Sequence, residues 1–246
     1  MAATPPSDRP RRAPVRPLFD PQTQPWTTAP DHFGLVPDEA LSAGFVRSVL
    51  GRQIERALDI PNEASILYPG REGTPVEAAV LVPMVLRDQG LTVLLTKRTD
   101  HLHDHAGQIS FPGGRVEDHD EDPIATALRE THEETGLAAQ HIDVIGTLPR
   151  YFTGTGFAIT PVTGLVQPGF SLSPDTFEVA EVFEVPLSFL TNPSNYRVHR
   201  ADLPDGRVRQ YYSVPWQHHF IWGATAGMLR GMYQILAEAF SSSNRS

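Results

Sequence analysis

Residues 111–137 read FPGGRVEDHDEDPIATALRETHEETGL, and this stretch decides how the rest of the chain is interpreted. Asp122 suits an N-cap, Pro123 suits the first position of a helix, and Gly136 suits the left-handed residue that ends one. These signals predict a helix from Pro123 to Thr135. Its periodicity predicts a buried stripe, which consists of Ile124, Leu128, Thr131 and Thr135.

Three carboxylates of this helix share another face. Glu130, Glu133 and Glu134 fall within an arc of about 100°. Like charges at this spacing repel, and anions in the last turns of a helix oppose its dipole. A hard divalent cation such as Mg²⁺ or Mn²⁺ prefers oxygen ligands and would make the same cluster favourable. The cluster therefore indicates part of a metal site, and a solvated acidic face is the alternative.

The residues before the helix favour the metal interpretation. Gly113 and Gly114 follow a strand-like stretch and precede the acidic helix. Glycines there allow the backbone to approach an anion or a metal closely. A strand, a glycine turn and an acidic helix in succession are much rarer by chance than an isolated Gly-Gly pair.

Strand signals dominate the remaining chain. Apolar and β-branched runs at 77–86 and 91–98 flank Arg87-Asp88-Gln89-Gly90 and predict a hairpin. Further strands are predicted at 142–148, 159–166, 178–185 and 207–214, with helices at 38–58 and 223–240. Strands with a few interspersed helices predict a layered α/β or α+β domain.

Composition divides the chain into three parts. Residues 1–30 hold eight of the 23 prolines and four arginines, so we expect a disordered Pro/Arg-rich arm over 1–37. The domain is expected over 38–240, followed by a disordered tail over 241–246. The formal net charge of −9 argues against a nucleic-acid-binding protein.

The absence of cysteine excludes disulfides, thiolate zinc sites and a cysteine nucleophile. No window approaches the roughly 18 consecutive apolar residues that span a bilayer. We therefore expect a protein outside the membrane, with a cytoplasmic location.

The acidic helix and its glycines resemble the box of the Nudix hydrolase family, G-x5-E-x7-R-E-U-x-E-E-x-G-U, where U is bulky and apolar. The second half of the box is filled without a gap by Arg129, Glu130, Glu133, Glu134, Gly136 and Leu137. Thr131 replaces the bulky residue. The spacing from Gly114 to Arg129 is one residue longer than the box, so either Asp120 or Glu121 takes the first acidic place.

The extra residue is similar to the coenzyme A diphosphatase branch of that family. The branch also has the upstream signature L-L-T-x-R-[SA]-x3-R-x3-G-x3-F-P-G-G, which Leu94–Thr99, Gly107 and Phe111–Gly114 match in register. Thr99 stands where the branch has Ser or Ala, and His103 stands where it has its second arginine. The resemblance covers roughly residues 38–240, and it implies a Nudix fold, an α/β/α sandwich with a mixed β-sheet.

The resemblance also implies hydrolysis of coenzyme A to 3',5'-ADP and 4'-phosphopantetheine, with Mg²⁺ or Mn²⁺ as cofactor. Glu130 and Glu134 would be the principal metal ligands, with Glu133 and the Gly113 carbonyl completing the shell. Arg129 would orient these glutamates. A general base would come from Glu178 or Glu181. The substrate would be bound by Lys97, Arg98, His103, Gly113 and Gly114.

Several alternatives stay open. A Nudix hydrolase could act instead on ADP-ribose, NADH or a dinucleotide polyphosphate, and a Nudix-fold regulator would bind without catalysis. Alternating His101, His103 and His105 could bind zinc, but no carboxylate partner at suitable spacing supports that site, and a loop at the mouth of the cleft is favoured. Glycines 223, 227 and 231 predict close helix packing on the sheet or a homodimer contact.

Overall fold

The computed structural model describes residues 19–52, 67, 73–101 and 107–243. The helices in those ranges are α1 (Ala43–Leu50), α2 (Pro123–Thr135), α3 (Leu187–Leu190) and α4 (Gly223–Ser243). The strands are β1 (Trp26–Thr28), β2 (Val76–Arg87), β3 (Gly90–Arg98), β4 (Ile109–Ser110), β5 (Gly113–Arg115), β6 (Ile142–Thr147), β7 (Tyr151–Phe152), β8 (Phe157–Val166), β9 (Val179–Pro186), β10 (Arg197–Asp202) and β11 (Val208–Ser213). Short 3-10 turns lie at Asp38–Ala40, Ala139–His141 and Pro193–Asn195.

An eight-stranded mixed sheet forms the centre of the domain, and β2 lies in its middle. β2 and β3 form the predicted antiparallel hairpin around Asp88 and Gln89. β2 also runs parallel to β8, with Val76 opposite Phe157 and Val85 opposite Val166. The predicted strands at 142–148, 159–166, 178–185 and 207–214 are confirmed within two residues at each end.

The two faces of this sheet are covered by different helices. On one face, Leu81 packs with Ala127 of α2. On the other face, Val93 belongs to the large core that includes Leu229 of α4 and Val46 of α1. Helices on both faces of a mixed sheet make the expected α/β/α sandwich. A smaller three-stranded sheet, in the order β1-β10-β11, packs through β11 beside α4.

Close approach of α4 to the large sheet depends on Gly227. A Cβ atom at that position would lie 2.7 Å from the Tyr151 ring, inside van der Waals contact. At this residue the glycine repeat therefore allows α4 to pack closely on the sheet. The homodimer contact stays a prediction. Within the described ranges, no helix has the length and hydrophobicity needed to cross a bilayer.

Helix α2 begins and ends where its caps predict. The Asp122 carboxylate accepts a hydrogen bond from the Ala125 amide at 2.8 Å, and Gly136 adopts φ 74°. The predicted buried stripe is partly wrong, because Ile124 and Leu128 are half-buried while Thr126 and Ala127 are fully buried. Buried threonines are tolerated here since each hydroxyl has a partner. Thr131 and Thr135 donate to the carbonyls four residues earlier, both at 2.6 Å.

The expected disordered arm is corrected over residues 19–37. β1 pairs with β10, and Val36 is fully buried. The composition was misleading because prolines keep their carbonyl acceptors. Tyr211 donates to the Pro21 carbonyl at 2.6 Å, and Arg230 donates to the Pro30 carbonyl. Residues 1–18 lie outside the described residues.

The first and the last predicted helix have different boundaries in the structure. The helix predicted over 38–58 is a 3-10 turn followed by α1, which ends at Leu50 before Gly51. Ile54 and Leu58 lie outside the described residues. α4 continues to Ser243, so the tail predicted from 241 is helical over its first three residues.

Candidate active site

The glycine strand β5 and the last two turns of α2 form one surface. β5 is fixed in register on β2, with Gly113 opposite Val80 and Gly114 opposite Ala79. The Gly113 amide donates to Glu134 Oε2 at 3.3 Å. A Cβ atom on Gly114 would lie 2.4 Å from Glu130 Cδ, so the Glu130 carboxylate occupies the space that a side chain would need. The strand thus holds both predicted metal ligands by close backbone approach.

Burial separates the three carboxylates of α2. Glu134 is only 7% exposed, Glu130 is half-buried, and the Glu133 side chain is 58% exposed. Burial raises the pKa of Glu134 to about 8, although nearby Arg98 and the Gly113 amide work in the opposite direction. Burial also raises the pKa of Glu130, against a hydrogen bond from Arg129. The protein therefore holds two carboxyl groups in surroundings that disfavour their negative charge.

This donor set fits a hard divalent cation. All the groups are oxygen donors, which Mg²⁺ and Mn²⁺ prefer, and a bound cation would favour the ionised carboxylates that burial disfavours. Glu130 and Glu134 are one helical turn apart and would be the principal ligands. Glu133 is turned toward Arg129, at 3.1 Å from its Nη1, and lies toward the exposed edge of the cluster.

Arg129 is held by Asp120, a residue outside the helix. Its Nε and Nη2 donate to the two carboxylate oxygens of Asp120, both at 2.9 Å. Its Nη1 donates to Glu130 at 3.0 Å and to Glu133 at 3.1 Å. The paired hydrogen bonds between Arg129 and Asp120 keep the pKa of Asp120 far below its usual range. They also raise the pKa of Arg129 above its usual value.

Asp120 therefore takes the first acidic place that the sequence left open between it and Glu121. The Asp120 side chain is 2% exposed, and it also accepts from the Thr126 hydroxyl at 2.9 Å. Glu121 is exposed. Asp120 fixes Arg129, and Arg129 fixes the side chains of Glu130 and Glu133.

Asp120→Asn is expected to lower kcat/KM by about 10- to 100-fold, which is typical when a group that orients a metal ligand is lost. The amide keeps its size but loses the charge that holds the guanidinium. Steady-state rates at several Mg²⁺ concentrations should show a weaker response to the ion. Glu121→Gln is the matched control and should keep the wild-type rate. Equal losses in the two variants would contradict the role of Asp120.

Arg98 connects the acidic helix with the segment before β9. Its Nη1 lies 3.6 Å from Glu134 Oε1, and its Nη2 lies 3.8 Å from Glu178 Oε2. The Nε atom of Arg98 is buried and has no hydrogen-bond partner in the structure described. Of the two predicted general bases, Glu178 is thus the one beside the predicted metal ligands, with its side chain 44% exposed.

The structure does not bring Glu181 and Lys97 to this cluster. They are cross-strand neighbours on β9 and β3. Glu181 shares a strand face with Phe183, which packs on the core beneath α4, whereas Val182 packs on the α2 side. The position of Glu181 therefore argues against a base role beside Glu134, and Lys97 faces the same way as Glu181. His103 and His105 lie outside the described residues.

Phe177 is a further neighbour of the site, and it is not among the residues predicted from the sequence. Its side chain is 64% exposed, although it directly precedes Glu178. His101 packs edge-on against it at 4.9 Å, and the Thr99 hydroxyl donates to its carbonyl at 2.8 Å. His101 is the one histidine of the predicted loop within the described residues, and the loop at the mouth of the cleft stays a prediction. The signal available in the sequence was a large aromatic residue within the polar segment from Asp175 to Glu178.

The stretch that carries this site also matches known proteins. Residues 75–201 match the family model of the NUDIX domain. A protein described as an uncharacterized Nudix hydrolase, NudL, from Enterobacter sp. (strain 638) is 44% identical over 156 residues, or 63% of this chain and 79% of that relative. NudL of Cronobacter sakazakii is 44% identical over 166 residues, or 66% and 83%. A solved structure, the Nudix hydrolase RenU of M. Smegmatis, is 26% identical with a TM-score of 0.40, covering 47% of this chain and 73% of its own.

Proposed function

This chain belongs to the Nudix hydrolase family, and we propose that it hydrolyses the diphosphate bond of coenzyme A or an acyl derivative. The products would be 3',5'-ADP and 4'-phosphopantetheine, or its acyl form. The observation that carries the proposal is the contact of Arg98 with Glu134. It joins the upstream signature of the coenzyme A branch and the acidic helix in a single site.

The extra residue of that branch supports the same substrate. Asp120 keeps the ordinary distance of six residues from Gly114, and the extra residue falls between Asp120 and Arg129, which Asp120 binds through both carboxylate oxygens. The lengthened spacing is thus accommodated without disturbing the carboxylates of α2. Glu134, Glu130 and Glu133 would hold Mg²⁺ or Mn²⁺, with the Gly113 carbonyl as a further predicted ligand. A bound divalent ion neutralises diphosphate oxygens and makes a bound water more acidic.

Other side chains would position the carboxylates and accept a proton. Arg129 and Asp120 keep the carboxylates of the helix in place. Arg98 lies between Glu134 and Glu178, at 3.6 and 3.8 Å, and keeps the two carboxylates close to each other. Glu178, half-exposed beside the buried cluster, accepts the proton of the attacking water at its carboxylate. The overall charge of −9 would repel a polyanionic substrate, so the cations also serve binding.

A substrate panel tests this proposal. The purified chain is incubated with Mg²⁺ or Mn²⁺ and with coenzyme A, acyl-coenzyme A, ADP-ribose, NADH or a dinucleotide polyphosphate, and products are identified by mass spectrometry. We expect coenzyme A or an acyl form to give the highest kcat/KM. In ¹⁸O-labelled water, the labelled product identifies the phosphorus that water attacks. Faster hydrolysis of ADP-ribose, NADH or the polyphosphate would reassign the substrate, and no hydrolysis of any would favour a binding regulator.

A further inference from the structure

A second cluster of metal-ligating side chains lies away from the acidic helix. It consists of Glu181, His218 and His219, whose donor atoms all lie within 4.8 Å of one another. We propose that these three residues bind a borderline divalent transition ion, with Zn²⁺ as the representative case. The site is separate from the Mg²⁺ ligands of α2, and it would link β9 to the turn that precedes α4.

The chain forms this cluster with a tight turn. Trp216 and His219 pair across it, with the Trp216 amide donating to the His219 carbonyl at 2.9 Å and the reverse bond at 2.8 Å. Gln217 has φ 52°, the left-handed region that residues other than glycine rarely adopt. The turn brings the rings of His218 and His219 to a centroid separation of 3.9 Å. Two adjacent imidazoles are thereby presented to one strand.

His219 is held in a fixed orientation. Its ring stacks on Phe183 with centroids 3.7 Å apart and planes 2° from parallel. Its Nε2 lies 3.1 Å from Glu181 Oε1. The residue is 5% exposed, and its Nδ1 is buried without a hydrogen-bond partner in the structure described. Nε2 is thus the nitrogen that faces the Glu181 carboxylate and would bind the ion, while the stacking on Phe183 fixes the plane of the ring.

The donor types select the kind of ion. Two imidazoles and one carboxylate are a common ligand set for Zn²⁺, whereas Mg²⁺ prefers oxygen ligands alone. Tetrahedral bonds of about 2.0–2.2 Å place the donor atoms about 3.3–3.6 Å apart. The distance between Glu181 and His219 is already close to that value. His218 is exposed, so its side chain can close the remaining gap by rotation.

The position of the cluster makes the two metal sites independent. Glu181 faces the α4 side of the sheet together with Phe183, and Glu134 belongs to the helix on the other face. Zn²⁺ bound to Glu181 and both histidines would cross-link two segments that are far apart in the chain. Ligand binding to the folded state alone raises stability. Zn²⁺ should therefore raise the melting temperature even when the acidic helix cannot bind metal.

Zinc titration of the full chain tests this proposal. Chelator-treated protein is titrated with Zn²⁺ by calorimetry in excess Mg²⁺, and thermal unfolding is followed at the same zinc concentrations. We expect one tight equivalent in the wild type and in Glu134→Gln. His218→Ala should weaken that equivalent by more than about 10-fold and remove the zinc-dependent rise in melting temperature. Co²⁺ should give the visible absorption of a four-coordinate site in the wild type and in Glu134→Gln, but not in His218→Ala.

Two further variants make the result decisive. His32→Ala removes an exposed histidine outside the cluster and should bind Zn²⁺ like the wild type. His219→Gln keeps a polar group beside Glu181 but removes the imidazole, so it should lose the tight equivalent. Zinc affinity that is unchanged in His218→Ala, or reduced equally in His32→Ala, would overturn the proposal. Absence of a tight equivalent in the wild type would do the same.

Discussion

Glu134→Gln is expected to lose nearly all hydrolytic activity and to gain thermal stability in metal-free buffer at alkaline pH. The activity should fall because Glu134 is proposed as a principal metal ligand, and we expect a decrease of more than about 100-fold. The stability rises because the variant no longer has to carry a buried charge. Both effects follow from a carboxyl group that is 7% exposed and has its pKa raised to about 8.

The sign of the stability effect follows from proton linkage. The Glu134 carboxyl has a raised pKa in the folded protein and its ordinary value of 4.5 when unfolded. The folded state therefore binds the proton more tightly, and the associated stability is complete below about pH 4.5. It decreases as the pH rises toward 8 and is fully lost above that value. Glutamine does not titrate, so the variant lacks this decrease.

Thermal unfolding with chelator at about pH 5 and about pH 9 measures the difference. Wild type and Glu134→Gln should melt at similar temperatures at the lower pH, and the variant should melt higher at the upper pH. Mg²⁺ should stabilise the wild type more than the variant. Glu133→Gln, on the same helix but 58% exposed, is the control and should not show the pH-dependent gain. Parallel pH profiles for wild type and Glu134→Gln, or a near-normal rate in the variant, would be evidence against the metal role.

The sequence was sufficient for features that short segments determine. The ends of α2 depend on Asp122, Pro123 and Gly136 alone, and the structure has them at the predicted residues. The hairpin of β2 and β3 likewise follows from local alternation and a short turn. The three carboxylates share one face because helical geometry fixes their spacing. The family follows from the same local motif.

Features set by tertiary packing were harder to predict. Glu134 is buried and Glu133 is exposed because of the way α2 packs against β5. Neither the local charges nor the periodicity of the sequence predicts this difference in burial. The N-terminal segment looked too polar to fold because its partners, such as Arg230, are about 200 positions away in the chain. Glu178 and Glu181 are three residues apart, so a regular strand directs them to opposite faces, but which of them lies on the side of α2 depends on packing.

Gly113→Ala and Gly114→Ala are expected to fail for different reasons, although the residues are adjacent. A Cβ atom on Gly114 would lie 2.4–2.6 Å from three atoms of the Glu130 carboxyl group and would displace that side chain. Because a flexible side chain can move, the fold should survive, with kcat/KM reduced about 10- to 100-fold and a higher Mg²⁺ requirement. The damage would be confined to the metal site.

At Gly113 the obstacle is backbone. A Cβ atom there would lie 2.4 Å from the Ala79 carbonyl oxygen and 2.5 Å from Val80 Cα, and Gly113 has φ 152°. Neither neighbour can rotate away, since β5 is held in register on the central strand β2. We therefore expect Gly113→Ala to lower the free energy of unfolding by more than about 2 kcal/mol, in addition to any loss of activity.

Denaturant unfolding combined with rates at several Mg²⁺ concentrations separates the two effects. Gly44→Ala is the control, because that helical glycine has open space around its Cβ position and the substitution should leave activity unchanged. If Gly114→Ala unfolded as readily as Gly113→Ala, the Glu130 carboxylate would not be the group that excludes a side chain there. If Gly114→Ala kept full activity at low Mg²⁺, Glu130 would not be a principal ligand, and the role of β5 would reduce to pairing with β2.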